Sequence, residues 1–391
     1  MIPMKGRSLN RRKFFMLLGA GGAAFAVKPI FGLASDNFQA KEKPSTNIAD
    51  AAKNPRTASS MPGKYPGKVV LVKNEKSVMN DEPVEVVAYL MLQSAMTELT
   101  GQKNLKKAWR TFVSPGEKIG LKVNPVAGKT LSTSHAIVKS VIKQLTESGI
   151  KLSDIIIWDR RDMDLAEAGF TSENYPGIKI MGTELKDAAG SFYDKEGKLY
   201  GERNIDKEWF YWANVEGEYD SETMPYMING GKYSYFSKIA TQVIDKIINI
   251  PILKNAGGSI TNAMKNLAFG VISNTGRLHT SLWNDTCAEV CAFAPVRDKV
   301  VLNITDGLRG CFNGGPGADP QFICNYNTIL AGSDPVAMDR IAYDIIAAKR
   351  IAEGIQKTSN PSSLTFLKMS SDLGLGISEI EKIDLKEITL T

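Results

Sequence analysis

The chain has 391 residues, 43% of them hydrophobic and 23% charged, a globular balance that excludes wholesale disorder, collagen-like repeats and small disulfide frameworks. Its net charge of +6 comes from one end: residues 1–34 hold Lys5, Arg7, Arg11, Arg12, Lys13 and Lys28 and no acid, which leaves 42 basic against 42 acidic residues elsewhere. A neutral body argues against nucleic acid as a partner, and no further apolar run reaches the ~18 residues that a membrane span needs.

The first pattern is Ser8-Leu9-Asn10-Arg11-Arg12-Lys13-Phe14-Phe15. An apolar stretch over residues 14–27 follows, diluted by Gly19, Gly21 and Gly22, and Gly32-Leu33-Ala34 ends it with residues small enough for signal peptidase. A charged segment, a short apolar segment and a small-residue exit describe a secretory signal. The arginine pair before a weakly hydrophobic, glycine-rich stretch resembles a twin-arginine leader. That resemblance implies the twin-arginine export machinery as a partner, passage in the folded state and a periplasmic destination. No cysteine stands near the exit, so a lipid anchor is not expected. An uncleaved leader would tether the protein, and the membrane is a partner only through it. Residues 35–66 are rich in Lys, Pro, Ser, Ala and Asn without an apolar period and read as a flexible linker.

The body, residues 67–391, reads as one α/β domain. Residues 68–72 form a short β-type run. Residues 83–99 are apolar-rich and glycine-free, hence helical, and 105–113 continue as a second helix. EKIGLKVN at 117–124 alternates as a strand does, and 134–148 carry Ile137, Val141, Ile142 and Leu145 at helical spacing before Gly149. DIIIWD at 154–159 is a continuous apolar run, the mark of a strand buried on both faces. Residues 243–253 and 299–305 add two more strands, and 331–349 supply a helix opened by Asp334-Pro335. Strands alternating with helices predict a doubly wound, mostly parallel sheet. Ligands in such sheets sit beyond the carboxyl ends of strands, which singles out Asn124, Asp159, Lys254 and Asp306. Residues 160–236 interrupt the alternation as an aromatic-rich insertion: 12 of the 32 aromatic residues fall between Phe192 and Phe236. Two readings stay open there, a hairpin subdomain with its own small core and a lid that stacks on a substrate.

The richest chemistry lies at residues 250–279. Lys254 follows a strand, Gly257-Gly258 make a turn, and Ser259 is placed to cap a helix starting near Ile260. A glycine turn opening onto a helix N-terminus aims backbone N–H groups at an anion. Lys265 sits in NAMKNLAFGVI among apolar neighbours. There it either snorkels to solvent or loses its proton readily enough to act as base or nucleophile. His279 is one of two histidines; the other, His135, falls in the first turn of a helix as a surface or capping residue. Asp306 and Arg309 open a second glycine-rich loop at residues 306–317. Cys287 and Cys291 read as buried apolar residues, and a Cys311–Cys324 disulfide is feasible after export. There is no C-x2-C, H-E-x-x-H, G-x-S-x-G or Walker motif.

These residues resemble the family of domain of unknown function 362. Lys122 and Asn124 match its lysine–x–asparagine, and the segment from Thr133 to Gly149 matches its threonine-led helix. Pro251, Lys254, Thr261, Lys265 and Asn266 match its central pattern, with His279 as the trailing histidine. Asp306, Gly315-Pro316, Asp334-Pro335 and Asp339 match its C-terminal block. Many members carry a histidine two residues after the first central lysine; here that residue is Ala256. A more distant likeness is to the nickel-dependent lactate racemase group, which implies a nucleotide-anchoring lysine at Lys265 and a metal-binding histidine at His279. Two histidines cannot build a histidine-rich metal site, and the residues themselves identify neither cofactor nor metal. The resulting expectation is a cleft that binds a small anionic ligand or cofactor. Lys265 and His279 are its candidate catalytic residues, and Lys122, Asn124, Lys254, Asn266 and Asp306 its candidate binding residues. It would serve an enzyme acting on a small carboxylate- or phosphate-bearing molecule, or a non-catalytic periplasmic ligand-binding or accessory protein of an exported redox enzyme.

Overall fold

The computed structural model describes residues 43–216, 226, 231–256, 259–355 and 361–391. The leader lies outside them. Their strands are β1 (Lys68–Lys73), β2 (Val78–Met79), β3 (Glu82–Pro83), β4 (Ile119–Lys122), β5 (Ile155–Arg161), β6 (Lys179–Glu184), β7 (Ile205–Trp212), β8 (Tyr233–Ser237), β9 (Lys246–Asn249), β10 (Ile252–Ala256), β11 (Ser259–Thr261), β12 (Val300–Cys311), β13 (Ile323–Gly332) and β14 (Asp384–Thr389). The helices are α1 (Glu85–Thr100), α2 (Leu105–Arg110), α3 (His135–Glu147), α4 (Asp162–Glu167), α5 (Ala263–Val271), α6 (Leu278–Ser281), α7 (Trp283–Ala292), α8 (Ala294–Arg297), α9 (Pro335–Ala352) and α10 (Thr365–Asp372).

The large sheet runs β14-β1-β13-β12-β9-β4-β5-β6, with β10 pairing β12 and β11 beside that path. Along the path only β13 runs antiparallel to its neighbours, so the sheet is mostly parallel. Both faces are covered, and the central strands show why their sequences are continuous apolar runs. Ile155 and Ile157 of β5 and Ile248 of β9 enter one core, packed by α1, α2 and α3. Ile156, Trp158 and Ile247, the alternate residues, enter a second core packed by α5, α7, α8, α9 and α10. A period of two on a strand feeds both layers at once.

Several boundaries differ from the sequence reading. The 243–253 run is two strands, broken at Ile250-Pro251, because β9 pairs β4 and β12 while β10 pairs β12 further along. Strand β12 continues through Asp306 to Cys311, past a bulge between Gly307 and Arg309, so the glycine-rich loop begins later than expected. Residues 160–184 are not insertion: α4 and β6 extend the main sheet. Beyond them β7 and β8 form a hairpin around a small core of Phe192, Leu199, Ile205, Tyr226 and Tyr235. Tyr211 and Phe236 pack instead into the main core. The described part of the expected flexible linker, residues 44–66, is packed. Ala51 and Met61 are buried, and Arg297 donates to the carbonyls of Asn54 at 3.0 Å and Pro55 at 3.1 Å. Polar composition misled here because the segment is held by its backbone carbonyls together with a few scattered apolar residues, Ile48, Ala51 and Met61, that show no period.

Candidate functional site

The site is built on a row of the sheet. Pairing sets Trp158, Lys122, Asn249, Asn303 and Gly332 side by side across β5, β4, β9, β12 and β13. Lys122, Asn249 and Asn303 are fully buried and are satisfied through α5. Asn266 of that helix donates to Asn249 Oδ1 at 2.8 Å and accepts from Asn124 Nδ2 at 2.9 Å and Lys122 Nζ at 3.4 Å. Asn249 Nδ2 passes the chain on to Asn303 Oδ1 at 2.9 Å. Lys122 Nζ donates to Val123 O at 2.9 Å and pairs with Asp159. Burial lowers the Lys122 pKa and the Asp159 carboxylate opposes the fall. Gly270 lies over this pair, and a Cβ there would strike the Lys122 ammonium. Lys122, Asn124 and Asn266 are therefore brought together. They are engaged with one another and with Asp159, and they lock α5 over the strand ends.

Beside this lattice stands a group of cations with far fewer partners. Lys254, on β10, has no exposure, and its one hydrogen bond reaches Val126 O at 3.0 Å. Lys265, on α5, keeps 7% exposure. Its ammonium meets Thr261 Oγ1 at 3.4 Å and lies 5.9 Å and 6.0 Å from the ring centroids of Phe269 and Trp283. Among the described residues no carboxylate stands within 4.0 Å of either ammonium. Arg160, near the end of β5, donates to Thr275 and lies 3.8 Å from Glu184. His279, on α6, sets its Nδ1 3.0 Å from Thr275 O and its ring 4.5 Å from that of Phe269. A nitrogen facing a carbonyl carries the proton, which leaves Nε2 as the acceptor.

The electrostatics follow from that crowding. Burial, reinforced by Lys265, brings Lys254 down to about 7. Burial brings Lys265 down to about 8, with Arg160 adding repulsion against an opposing effect of Cys287. Burial, then Lys265 and Arg160, push His279 down to about 3, so its imidazole is neutral at physiological pH. Removing an unpaired charge from water is costly. Such groups either give up protons or take an anion.

Asp306 does not join the cations. Its carboxylate accepts from Ser134 N at 2.6 Å and Leu308 N at 3.1 Å, so it positions the loop after β4, the loop that offers Val126 O to Lys254. The expected anion nest at Ser259 also fails. Ser259–Thr261 is strand β11, antiparallel to β10, and α5 begins only at Ala263. The N–H groups of Ala263 and Met264 are taken by Asp339, at 2.7 Å and 3.0 Å. Gly257-Gly258 lie outside the described residues. Spacing alone could not distinguish a turn into a helix from a turn into a hairpin three residues long.

Cys287 and Cys291 are buried, and all four cysteines are free. Cys311 stands opposite Ile323 and Cys324 opposite Gly310. Adjacent cross-strand pairs face opposite sides of a sheet, so these two thiols diverge. Among the described residues no three His, Cys, Asp or Glu side chains are grouped to hold a metal ion. His135 is not a surface residue: its ring nitrogens lie 2.6 Å from Tyr175 Oη and 3.0 Å from Ala168 O, and Ser134 caps the helix. Sequence reasoning missed Arg160, Asn249 and Asn303. Arg160 was within reach, since it directly follows Asp159 at a strand end; the asparagines stood out only once register was known.

Residues 213–344 match the model of the family described as domain of unknown function (DUF362). No curated protein matches the chain. Among solved structures the chain is similar to a structural-genomics crystal structure of a protein from Thermotoga maritima, at 12% identity and a TM-score of 0.34, covering 70% of this chain and 60% of that one. A likeness at that score carries no argument about fold or function.

Proposed function

We propose that this is an exported α/β protein whose cleft, at the ends of β5 and β10 and along α5, binds a small carboxylate- or phosphate-bearing molecule and acts on it as an enzyme. One observation carries the reading: Lys254 and Lys265 are buried side chains without a carboxylate partner among the described residues, close enough that Lys265 lowers the pKa of Lys254. A fold gains nothing from two such charges. A bound anion would pair with both, and Arg160 would complete the positive wall.

The catalytic roles fall to Lys265 and His279. Lys265 titrates near neutrality and keeps some exposure, so it can give or take a proton. His279, neutral, offers Nε2 as a hydrogen-bond acceptor that can relay a proton. Lys122, Asn124, Asn266 and Asp306 position the helix and loop that hold these groups. The nickel-bearing nucleotide implied by the distant racemase resemblance fits only in part. Its phosphate would suit the cations, but the described residues supply one imidazole and an excess of positive charge, a poor setting for a bare divalent ion. No step is assigned through it. The leader carries the proposed location: residues 1–34 would direct twin-arginine export to the periplasm and be removed after Ala34.

Calorimetric titration of the purified mature chain with inorganic phosphate and small carboxylates tests the reading. Saturable binding that is lost in Lys254→Met and Lys265→Met, both still folded, supports it. Absence of binding by either anion class overturns it.

A further inference from the structure

We infer that Lys265 is an imine-forming lysine, and that the molecule it takes is a small 2-oxo acid whose carboxylate is held by Lys254. This rests on the anion-binding reading above and specifies its ligand.

Three features of the geometry converge on it. First, Lys265 is the one of the two unpaired buried lysines that retains exposure, 7% against none for Lys254. The side chain that keeps some exposure is the one that can meet a ligand, and the sealed one can hold it only by charge. Second, the setting of Lys265 keeps its amine free. It has a single weak hydrogen bond at 3.4 Å, to a hydroxyl, and its flanks are the rings of Phe269 and Trp283. A lysine that is desolvated and lies near another cation is the arrangement that makes an amine nucleophilic at neutral pH. Third, the His279 imidazole packs on the same Phe269 ring, and with Nδ1 facing Thr275 O its other nitrogen, Nε2, is the acceptor. A simple anion-binding site would need the charges. It would have no use for a neutral acceptor beside one of them that can relay a proton.

The step balances without oxidant or reductant. The neutral amine attacks the ketone carbon, forming a C–N bond as the carbonyl π pair moves to oxygen. The proton that the nitrogen loses passes by way of His279 Nε2 to the alkoxide oxygen, yielding a neutral carbinolamine. The proton first released by the ammonium then returns from solvent to the hydroxyl, water leaves and the C=N bond remains. Counted from the ammonium form, lysine and ketone become iminium and water.

The test uses the mature chain with sodium pyruvate and sodium borohydride, followed by digestion and mass mapping of every lysine. The expected product is one carboxyethyl group per chain on Lys265, in at least tenfold excess over any other lysine. Its yield in wild type should be half-maximal near pH 8, whereas surface lysines react only in more alkaline solution. Adducts spread evenly over surface lysines, an adduct on Lys254 alone, or no adduct would each overturn the inference. Propionate, the same acid without the ketone, separates the two levels. If propionate binds in a Lys254-dependent way and pyruvate leaves no adduct, the imine fails and the anion site stands. If propionate, pyruvate and phosphate all fail to bind, both fail.

Discussion

The ammonium of Lys265 and the imidazole of His279 share one aromatic ring: Phe269 lies 5.9 Å from the first, centroid to nitrogen, and 4.5 Å from the second, centroid to centroid. Fourteen residues apart in sequence, on α5 and α6, they are joined by that contact into one site. The apolar ring between them is also part of what withholds water from both, so the site's chemistry and its packing have the same cause.

The pH dependence of this site has a definite sign. Lys254 and Lys265 have folded pKa values of about 7 and about 8, below the ordinary 10.5. Between those values and about pH 10.5 the unfolded chain holds more protons, so the stability of ligand-free protein rises with pH through that window. Anion binding runs the other way, because the anion needs the charged forms. Phosphate affinity should fall at least about tenfold between about pH 6.5 and pH 9. Calorimetry at the two pH values checks this, and an unchanged affinity would count against the lysines as the binding groups.

Replacing Lys265 by Met should stabilise the ligand-free protein at neutral pH by about 1–3 kcal/mol while removing anion binding, since a desolvated charge is exchanged for an apolar chain of similar length. Urea unfolding measures the first effect and phosphate titration the second. A destabilised variant would mean that Lys265 serves the fold.

Lys122 is the contrasting lysine. Its ammonium is paired with Asp159 and bonded to Val123 O, so Lys122→Met should cost about 3–5 kcal/mol by leaving a buried carboxylate alone. Gly270→Ala should also destabilise the fold, because its methyl meets the same ammonium. Thermal denaturation of both variants beside Lys265→Met would separate the structural lysine from the functional one.

Asp339→Ala removes the acceptor of two buried N–H groups, Ala263 and Met264, at the start of α5. The expected loss is about 2–4 kcal/mol, with weakened phosphate binding because Lys265 rides on that helix. Asp339→Asn should recover part of the stability.

Export can be checked independently of the site. A reporter that is active only after folding, fused behind residues 1–66, should reach the periplasm. Substituting Lys for both Arg11 and Arg12 should retain it in the cytoplasm, and the exported fusion should begin just past Ala34.

The central strands were legible because each carries its own signature: DIIIWD reads as buried on both faces, and residues 155–158 alternate between two cores; β13 and β14, which lack such a run, were not read from the sequence. The reading faltered where partner choice decided the outcome. Residues 259–261 became a strand because β10 was available to pair with them, and the stretch 44–66 packed in part because Arg297 reaches its carbonyls. Neither partner is close in sequence, and local composition cannot report a distant one.

By itself the sequence determined the α/β alternation, the apolar neighbours of Lys265 along the chain and the concentration of chemistry-bearing residues at strand ends, since all three follow from periodicity and local order; whether Lys265 reaches solvent or is buried was decided by the fold. Only the tertiary structure decided which lysine is neutralised and which is not. That depends on register: the row Trp158–Lys122–Asn249–Asn303 gives Lys122 a carboxylate and an amide lattice, whereas Lys254 meets a carbonyl and the field of Lys265, and Lys265 meets a hydroxyl, aromatic rings and the field of Arg160. A charge is defined by what surrounds it in space, and a linear chain specifies that only after it folds.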